Sequence, residues 1–434
     1  MRKSLWMLVI LAGFSASMVW AQEARVTLTE SQAVTTALQN QPALRVARAD
    51  AGMANARVGI ARSEGQLQVS VNTLDTLSNT RNVFAVPAVV PQALLQSQNR
   101  SSLDLNGMAM LPLYTGGRIQ QAICAASFSA NAAQDQVAAT RVQVAADARA
   151  RYAAWQQATA LQTVAESTVA AQSRNAQVVQ QRFEAGKVPK FDTLRAQAEL
   201  ATAKQQLASA QAEVAATRAQ LAAALGVPEN ANWVPAEEAL PGMPPKALEA
   251  ALAARPEVLA AQQNVCAAQA VVCERKAEYS PQVYAVGMVD LFAPPNDGRT
   301  LGVTVGVVAG LPVLDAGRRQ AEVQEAQEAL ARAQAICQQV TLQVRAEVST
   351  AEPRASAARQ NIDTAQAQVT AAEEAYNVAQ ERYDAGKSTV VELYDTQRLL
   401  TEARQNLVTA QAQYRAALAE LYRAMGSESI PATS

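Results

Sequence analysis

The feature that most constrains this chain is that it repeats itself. LPLYTGGRIQ at 111–120 returns as LPVLDAGRRQ at 311–320, and RFEAGK at 182–187 returns as RYDAGK at 382–387, both at an offset of 200 residues. Gln197 and Gln397 keep that offset, and a third pair, Gln41-Pro42 and Arg255-Pro256, lies upstream in each half. Three pairs in one order imply two copies of one structural plan, so the fold has to be read half by half.

Each half reads alike. A short helix ends before the proline of the third pair, and a second helix follows to about Glu64 or Tyr279. Two extended segments come next, then a very long helix, a turn centred on Gly186 or Gly386, and a return helix. In numbers, the first repeat covers 22–226, with strands 67–76 and 102–112, a long helix 118–184 and a return helix 191–225. A linker spans 227–245. The second repeat covers 246–426, with strands 281–291 and 300–312, a long helix 317–383 and a return helix 390–425, and a tail fills 427–434. A helix from Arg118 to Phe183 would be ~100 Å long, beyond what ordinary globular helices reach. Pro353 is expected to kink its counterpart.

The extended segments alternate with period two, which is strand behaviour. Leu301, Val303, Val305, Val307, Ala309 and Leu311 share one face, opposite Gly302, Thr304, Gly306 and Gly310. Val283, Ala285, Gly287 and Val289 oppose Tyr284, Val286, Met288 and Asp290. Leu103, Leu105, Ala109 and Leu111 oppose Asp104 and Asn106, while Val69 and Val71 oppose Ser70 and Asn72. Pro112 and Pro312 are expected to end the last strand of each half. Runs of ~9–11 residues have the length of a membrane β-strand. Four such strands per chain cannot close a barrel, and an open edge is intolerable in lipid, so membrane strands here would require an oligomer.

Composition excludes other classes. Half the residues are hydrophobic but only 4% are aromatic, so alanine carries that fraction and favours long, closely packed helices over one bulky core. Net charge is −1 with scattered Lys and Arg, which gives no footprint for nucleic acid. There is no histidine, hence neither the commonest general base nor the commonest nitrogen ligand. No catalytic constellation appears, and the reading is of a protein that is not an enzyme and needs no cofactor or resident metal. Cys124, Cys266, Cys273 and Cys337 form no CxxC pair. Residues 1–21 read as a secretory signal peptide: Arg2 and Lys3, an apolar run from Leu5 to about Phe14, then Val19-Trp20-Ala21 before the cut. The segment 77–100 carries VFAVPAVVPQALL, unusually apolar for an external loop.

Taken together, the duplication, the proline of the third pair, the strand-to-helix junctions LPLYTGGR and LPVLDAGR, and the tips RFEAGKVPKFDTLRAQAEL and RYDAGKSTVVELYDTQRLL resemble the TolC-like outer-membrane efflux protein family over the whole mature chain. The resemblance implies a mainly helical fold with a small membrane β part. It implies a homotrimer whose twelve-stranded β-barrel sits in the outer membrane lipid and whose α-barrel crosses the periplasm to a gated tip. The tip would dock on a periplasmic adaptor joined to an inner-membrane pump. Asp192, Glu392 and Asp395 fall where the family places carboxylates that narrow the pore, although Asp192 and Glu392 also begin helices, where a carboxylate suits the helix dipole. Tyr383, with Asp192 as acceptor, stands at a tip latch; Ser388 occupies the position of an arginine in some relatives, where adjacent Lys387 could substitute. Arg182, Gly186, Lys187, Arg382, Gly386 and Lys387 form the tip turns and the implied adaptor contact. The family's helix order makes the helices of Cys124 and Cys273 neighbours, and a bridge between these two is one expectation. The rival reading is a periplasmic coiled-coil spacer without a pore, against which the alternating strands weigh.

Overall fold

The computed structural model describes residues 26–78, 100–228, 233–236, 238–244, 254–293 and 300–428. The expected signal peptide 1–21, nearly all of the apolar loop 77–100, most of the short helix ahead of Pro256 and the end of the tail lie outside these residues.

The chain begins with β1 (Val26–Leu28), α1 (Glu30–Asn40), α2 (Pro42–Ser63), β2 (Gln68–Ser78) and β3 (Arg100–Tyr114). It continues with α3 (Arg118–Glu184), α4 (Lys190–Leu225), β4 (Trp233–Pro235) and α5 (Pro256–Ala277). It ends with β5 (Gln282–Ala293), β6 (Thr300–Gly310), α6 (Arg318–Asp384) and α7 (Val390–Ala424). The long helices α3 and α6 have 67 residues each, and α2 and α5 have 22 each. Thr29 starts α1 with a reciprocal capping box to Gln32. Pro42 and Pro256 open α2 and α5, where the missing N–H costs nothing. No helix of the described residues is long and apolar enough to cross a membrane.

α3 is the spine. Near the sheet it packs on α2 and α5, further along on α4 and α7, while α6 packs on α5 and α7. Most residues that α3 buries are alanines, among them Ala130, Ala139, Ala145, Ala148 and Ala158. Small side chains let helices approach closely and lose little rotamer entropy, so the alanine content belongs to the packing. Larger side chains gather at the waist, where Tyr152 and Trp155 of α3 meet Leu44, Leu221 and Leu225.

The long strands form one antiparallel sheet in the order β2-β3-β5-β6. The central pairing joins the two halves, with Met108 opposite Met288 and Asn106 opposite Asp290. β2 and β6 are the open edges. The odd-numbered face is apolar and bare: Val69, Val71, Val303, Val305 and Val307 are all largely exposed.

Three sequence expectations need correction. Pro112 does not end its strand: β3 runs to Tyr114, and the register shifts between Pro112 and Tyr114, the bulge at which a proline is tolerated. Pro312 lies beyond β6, which stops at Gly310. Finally, the chain has a second small sheet among the described residues: β1 pairs in parallel with β4, inside the segment read as linker. Three residues per strand are too few to show alternation. All four cysteines are free.

Candidate functional site at the helix tips

The tip is where α3 turns into α4 and α6 turns into α7. Both turns close with the same hydrogen bonds. Lys187 N donates to Arg182 O (2.8 Å) and Gly186 N to Phe183 O (2.8 Å); Lys387 N donates to Arg382 O (2.8 Å) and Gly386 N to Tyr383 O (3.0 Å). This six-to-one and five-to-two pattern needs a left-handed residue after the helix. Gly186 and Gly386 supply it at φ 70° and 72°. A Cβ at either position would meet nothing within 4 Å, so the need for glycine is purely conformational.

Beneath the turns lies a small core of Val179, Ala196, Tyr383, Val390, Leu393 and Tyr394, with one residue each from α3, α4 and α6 and three from α7. Tyr383 is buried, yet among the described residues its hydroxyl has no well-formed hydrogen bond, with only the Arg182 guanidinium beside it, and the Tyr394 hydroxyl has no partner there. Burial pushes the Tyr394 phenol up to about 12. It raises Tyr383 as well, against the opposing charge of Arg182 and with the nearby Asp192 carboxylate adding to the shift. The Tyr383–Asp192 hydrogen bond is thus not made within this protomer, although the two groups are close enough to interact.

Arg182 makes the link that the sequence did not reveal. Its guanidinium lies 4.3 Å from the centre of the Tyr383 ring, donates to Tyr383 O (3.1 Å) and pairs with Asp384 (3.2 Å). One side chain therefore ties the tip of α3 to that of α6. Arg382, its counterpart, is exposed and stands 4.0 Å from Glu392. Glu392 is held locally: its carboxylate accepts from Ser388 Oγ (2.8 Å), and its N–H donates to Thr389 Oγ1 (3.3 Å), a cap on α7. Asp395 and Lys387 are exposed and Asp192 is half-buried, and none of the three makes an ion pair among the described residues.

A groove of about 620 Å³ runs upward from the tip between α3, α6 and α7, lined in part by Asn175, Glu373, Asp384, Gln397 and Arg404. Gln397 is buried and accepts from Asn175 (2.8 Å), whereas its repeat partner Gln197 is exposed. Nearby Gln172 is buried with its Oε1 unpartnered. The seam between α3 and α7 is therefore polar and incompletely satisfied. No group of three or more Cys, Asp and Glu able to hold a metal ion occurs among the described residues.

Comparison with known proteins fits this geometry. A family model described as outer membrane efflux protein matches residues 33–227 and 247–427. The outer membrane efflux protein BepC of Brucella suis is 24% identical over 396 residues, which covers 90% of this chain and 83% of the relative. Among solved structures, the outer membrane protein VceC of Vibrio cholerae superposes with a TM-score of 0.78 at 20% identity, over 92% of this chain and 96% of that one. The CmeC outer membrane channel of Campylobacter jejuni gives 0.80 at 15% identity, over 99% and 96%. At such identities the structural likeness speaks for the fold alone.

Proposed function

The chain belongs to the outer membrane efflux protein family, and from that premise we propose that three copies assemble into a passive exit duct of a tripartite efflux or type I secretion system. The observation that carries this reading is the open strip. Its sheet has unpaired edges at β2 and β6 and one face of exposed valines. Lipid tolerates no open sheet edge, and barrels need about eight strands or more. Three copies of this sheet would close a ring of twelve strands, with α3 and α6 continuing below it as a helical wall through the periplasm. A coiled-coil spacer would have no use for such a sheet.

At the far end, the turns around Arg182, Gly186, Lys187, Arg382, Gly386 and Lys387 would meet a periplasmic adaptor and, through it, an inner-membrane pump that supplies the energy. Asp192, Glu392 and Asp395 would form rings of like charge that narrow the mouth and favour cations. Glu392 and Asp395 lie three apart at the start of α7 and share a face. The hydrogen bonds of Glu392 to Ser388 and Thr389 are compatible with both a capping and a gating role, and conductance separates the two. Detergent-purified protein should run as a trimer in native mass spectrometry and conduct in planar bilayers. The Glu392→Ala, Asp395→Ala double variant should assemble, conduct more, prefer cations less and resist divalent block. Its loss of stability should not exceed ~1 kcal/mol per site. Unchanged conductance, selectivity and divalent block in an assembled double variant would move the constriction elsewhere.

A further inference from the structure

The even-numbered face of the sheet opposes the bare valines. Resting on the reading of the sheet as a barrel wall, it is the face turned to the pore. The register fixes its rows: Ser70, Met108, Met288 and Thr304 lie across it in one row. The row on one side is Gln68, Met110, Val286 and Gly306, and the row on the other is Asn72, Asn106, Asp290 and Gly302. Three methionines thus meet on a face that is otherwise mostly polar or glycine. The chain has only six methionines beyond residue 21, at 53, 108, 110, 243, 288 and 425, so half of them are here.

Methionine ordinarily fills gaps in an apolar core. No such core exists on this face, where Met108 and Met110 are half-buried and Met288 is exposed. Directly opposed residues of an antiparallel pair hold their Cβ atoms ~4.5–5.5 Å apart, with diagonal neighbours still within reach of long side chains. Met108 and Met288 are directly opposed, and Met110 is diagonal to Met288. Three flexible thioethers can therefore converge on one point. A Cβ at Gly306 would meet nothing within 4 Å, so space remains beside them. Asp290, two residues along β5 from Met288 on the same face, adds a negative charge.

We propose that Met108, Met110 and Met288 form a thioether site for a soft monovalent cation, Cu(I) or Ag(I), on the pore wall, and that such ions are among the solutes the duct passes. Soft sulfur ligands select these ions over Mg²⁺, Ca²⁺ or Zn²⁺. Thioethers are neutral, so an ion held by three of them keeps its charge, and Asp290 assists its arrival. Conduction needs sites that hold an ion weakly enough to release it, and uncharged ligands in a wet pore meet that need.

The test is residue-resolved oxidation. The full-length mature protein, purified in detergent with its four thiols alkylated, is treated briefly with hydrogen peroxide in chloride-free buffer, with and without silver nitrate. Sulfoxide formation is then read at each methionine by peptide mass spectrometry. Silver should slow oxidation of Met108, Met110 and Met288 about tenfold at free silver about ten times Kd, by mass action. Met53, Met243 and Met425 should oxidise at unchanged rates. The Met108→Leu, Met288→Leu variant conserves volume and should assemble normally but lose the silver protection at Met110. Equal protection at all six methionines, or none at the three, overturns the site. Planar-bilayer conductance of the same preparation separates the two readings: a conducting trimer without protection removes the site and leaves the duct, and a trimer that does not conduct removes both.

Discussion

The waist and the tip use the same residue types and finish them differently. At the waist, Tyr152 donates its hydroxyl to Leu28 O (2.9 Å) and accepts from Ala236 N (3.2 Å), and Tyr414 donates to Pro241 O (2.8 Å). At the tip, the hydroxyls of Tyr383 and Tyr394 are equally buried and make no well-formed hydrogen bond among the described residues. Waist arginines are likewise engaged. Arg149 pairs with Glu30 (3.4 Å) and reaches Glu428 O, while Arg141 grips the Glu428 carboxylate at 2.7 and 2.8 Å, which fastens the start of the tail to α3. Arg255, 3% exposed, binds Glu257, Glu347 and the last carbonyls of α7. The lesson is that the waist tyrosines are satisfied within one protomer, although Arg149 Nη1, Gln156 Oε1 and Arg415 Nη1 around them lack a hydrogen-bond partner among the described residues. The tip holds unspent hydrogen-bonding capacity, as expected of a region whose contacts form in the assembly or change with state.

The sharpest way to break this comparison is through the arginines. Replacing Arg255 with Ala leaves two partly buried glutamates short of a partner and uncaps α7; the expected loss is about 3–5 kcal/mol. Arg182→Ala at the tip gives up one ring contact, one hydrogen bond to Tyr383 O and one partly exposed pair, at about 1–2 kcal/mol. Thermal melts followed by circular dichroism decide it, and equal losses would erase the distinction.

Glycines offer a second contrast. Gly226 ends α4 at φ 67°, the conformation that Gly186 adopts at 70°. A Cβ on Gly226 would stand 2.9 Å from the backbone of Asn40, whereas one on Gly186 meets open space. Gly186→Ala should therefore cost only the left-handed strain of ~1–2 kcal/mol. Gly226→Ala should add an overpacking cost of ~1–3 kcal/mol to the same strain. Similar urea midpoints for the two variants would mean that α1 and α4 yield more readily than the waist packing implies.

The smallest effect at neutral pH belongs to the tyrosines. Tyr152→Phe removes a buried donor and acceptor and should cost ~1–3 kcal/mol. Tyr394→Phe should stay within about 0.5 kcal/mol, because no bond is lost. Above pH 10 a further effect enters, shared with Tyr152, whose phenol burial likewise pushes up to about 12. An unfolded tyrosine ionises near 10, while folded Tyr394 holds its proton to about 12. Its stabilising effect is thus complete below pH ~10 and declines by about 1.4 kcal/mol per pH unit as pH rises toward 12. Tyr394→Phe should flatten that alkaline loss and leave the neutral melt unchanged; an unaltered alkaline limb would place the responsible group elsewhere.

Much of this fold was legible in the chain because it is periodic or local. The alternation of Leu301 to Leu311 marked a strand, and the glycines of RFEAGK and RYDAGK marked the turns. What escaped is neither. The β1–β4 pair is three residues long and joins segments some 200 positions apart. The reach of Arg182 to Tyr383 and Asp384 depends on how the ends of two long helices meet at the tip, which no spacing encodes. The methionine row needed the register between β3 and β5. Alternation along one strand says which face Met288 takes, but not which residue of the other half stands opposite. At the tip, the sequence placed Glu392 and Asp395 on one face, while the grip of Ser388 and Thr389 on Glu392 is a local cap that reads equally well as structure.

The central position of α3 has a consequence for the order in which the molecule is made. α3 ends at Glu184, but two of the helices that cover it begin only at Pro256 and Val390. A chain that leaves the export machinery N-terminus first must hold a helix of 67 residues with part of its alanine-lined surface uncovered until the far half arrives. Its decisive contacts are distant in sequence, and such topologies fold slowly and stay open to wrong association meanwhile. The first half, severed from the second, should be unable to complete its own interior, so that the two similar halves form one cooperative unit in time as well as in space.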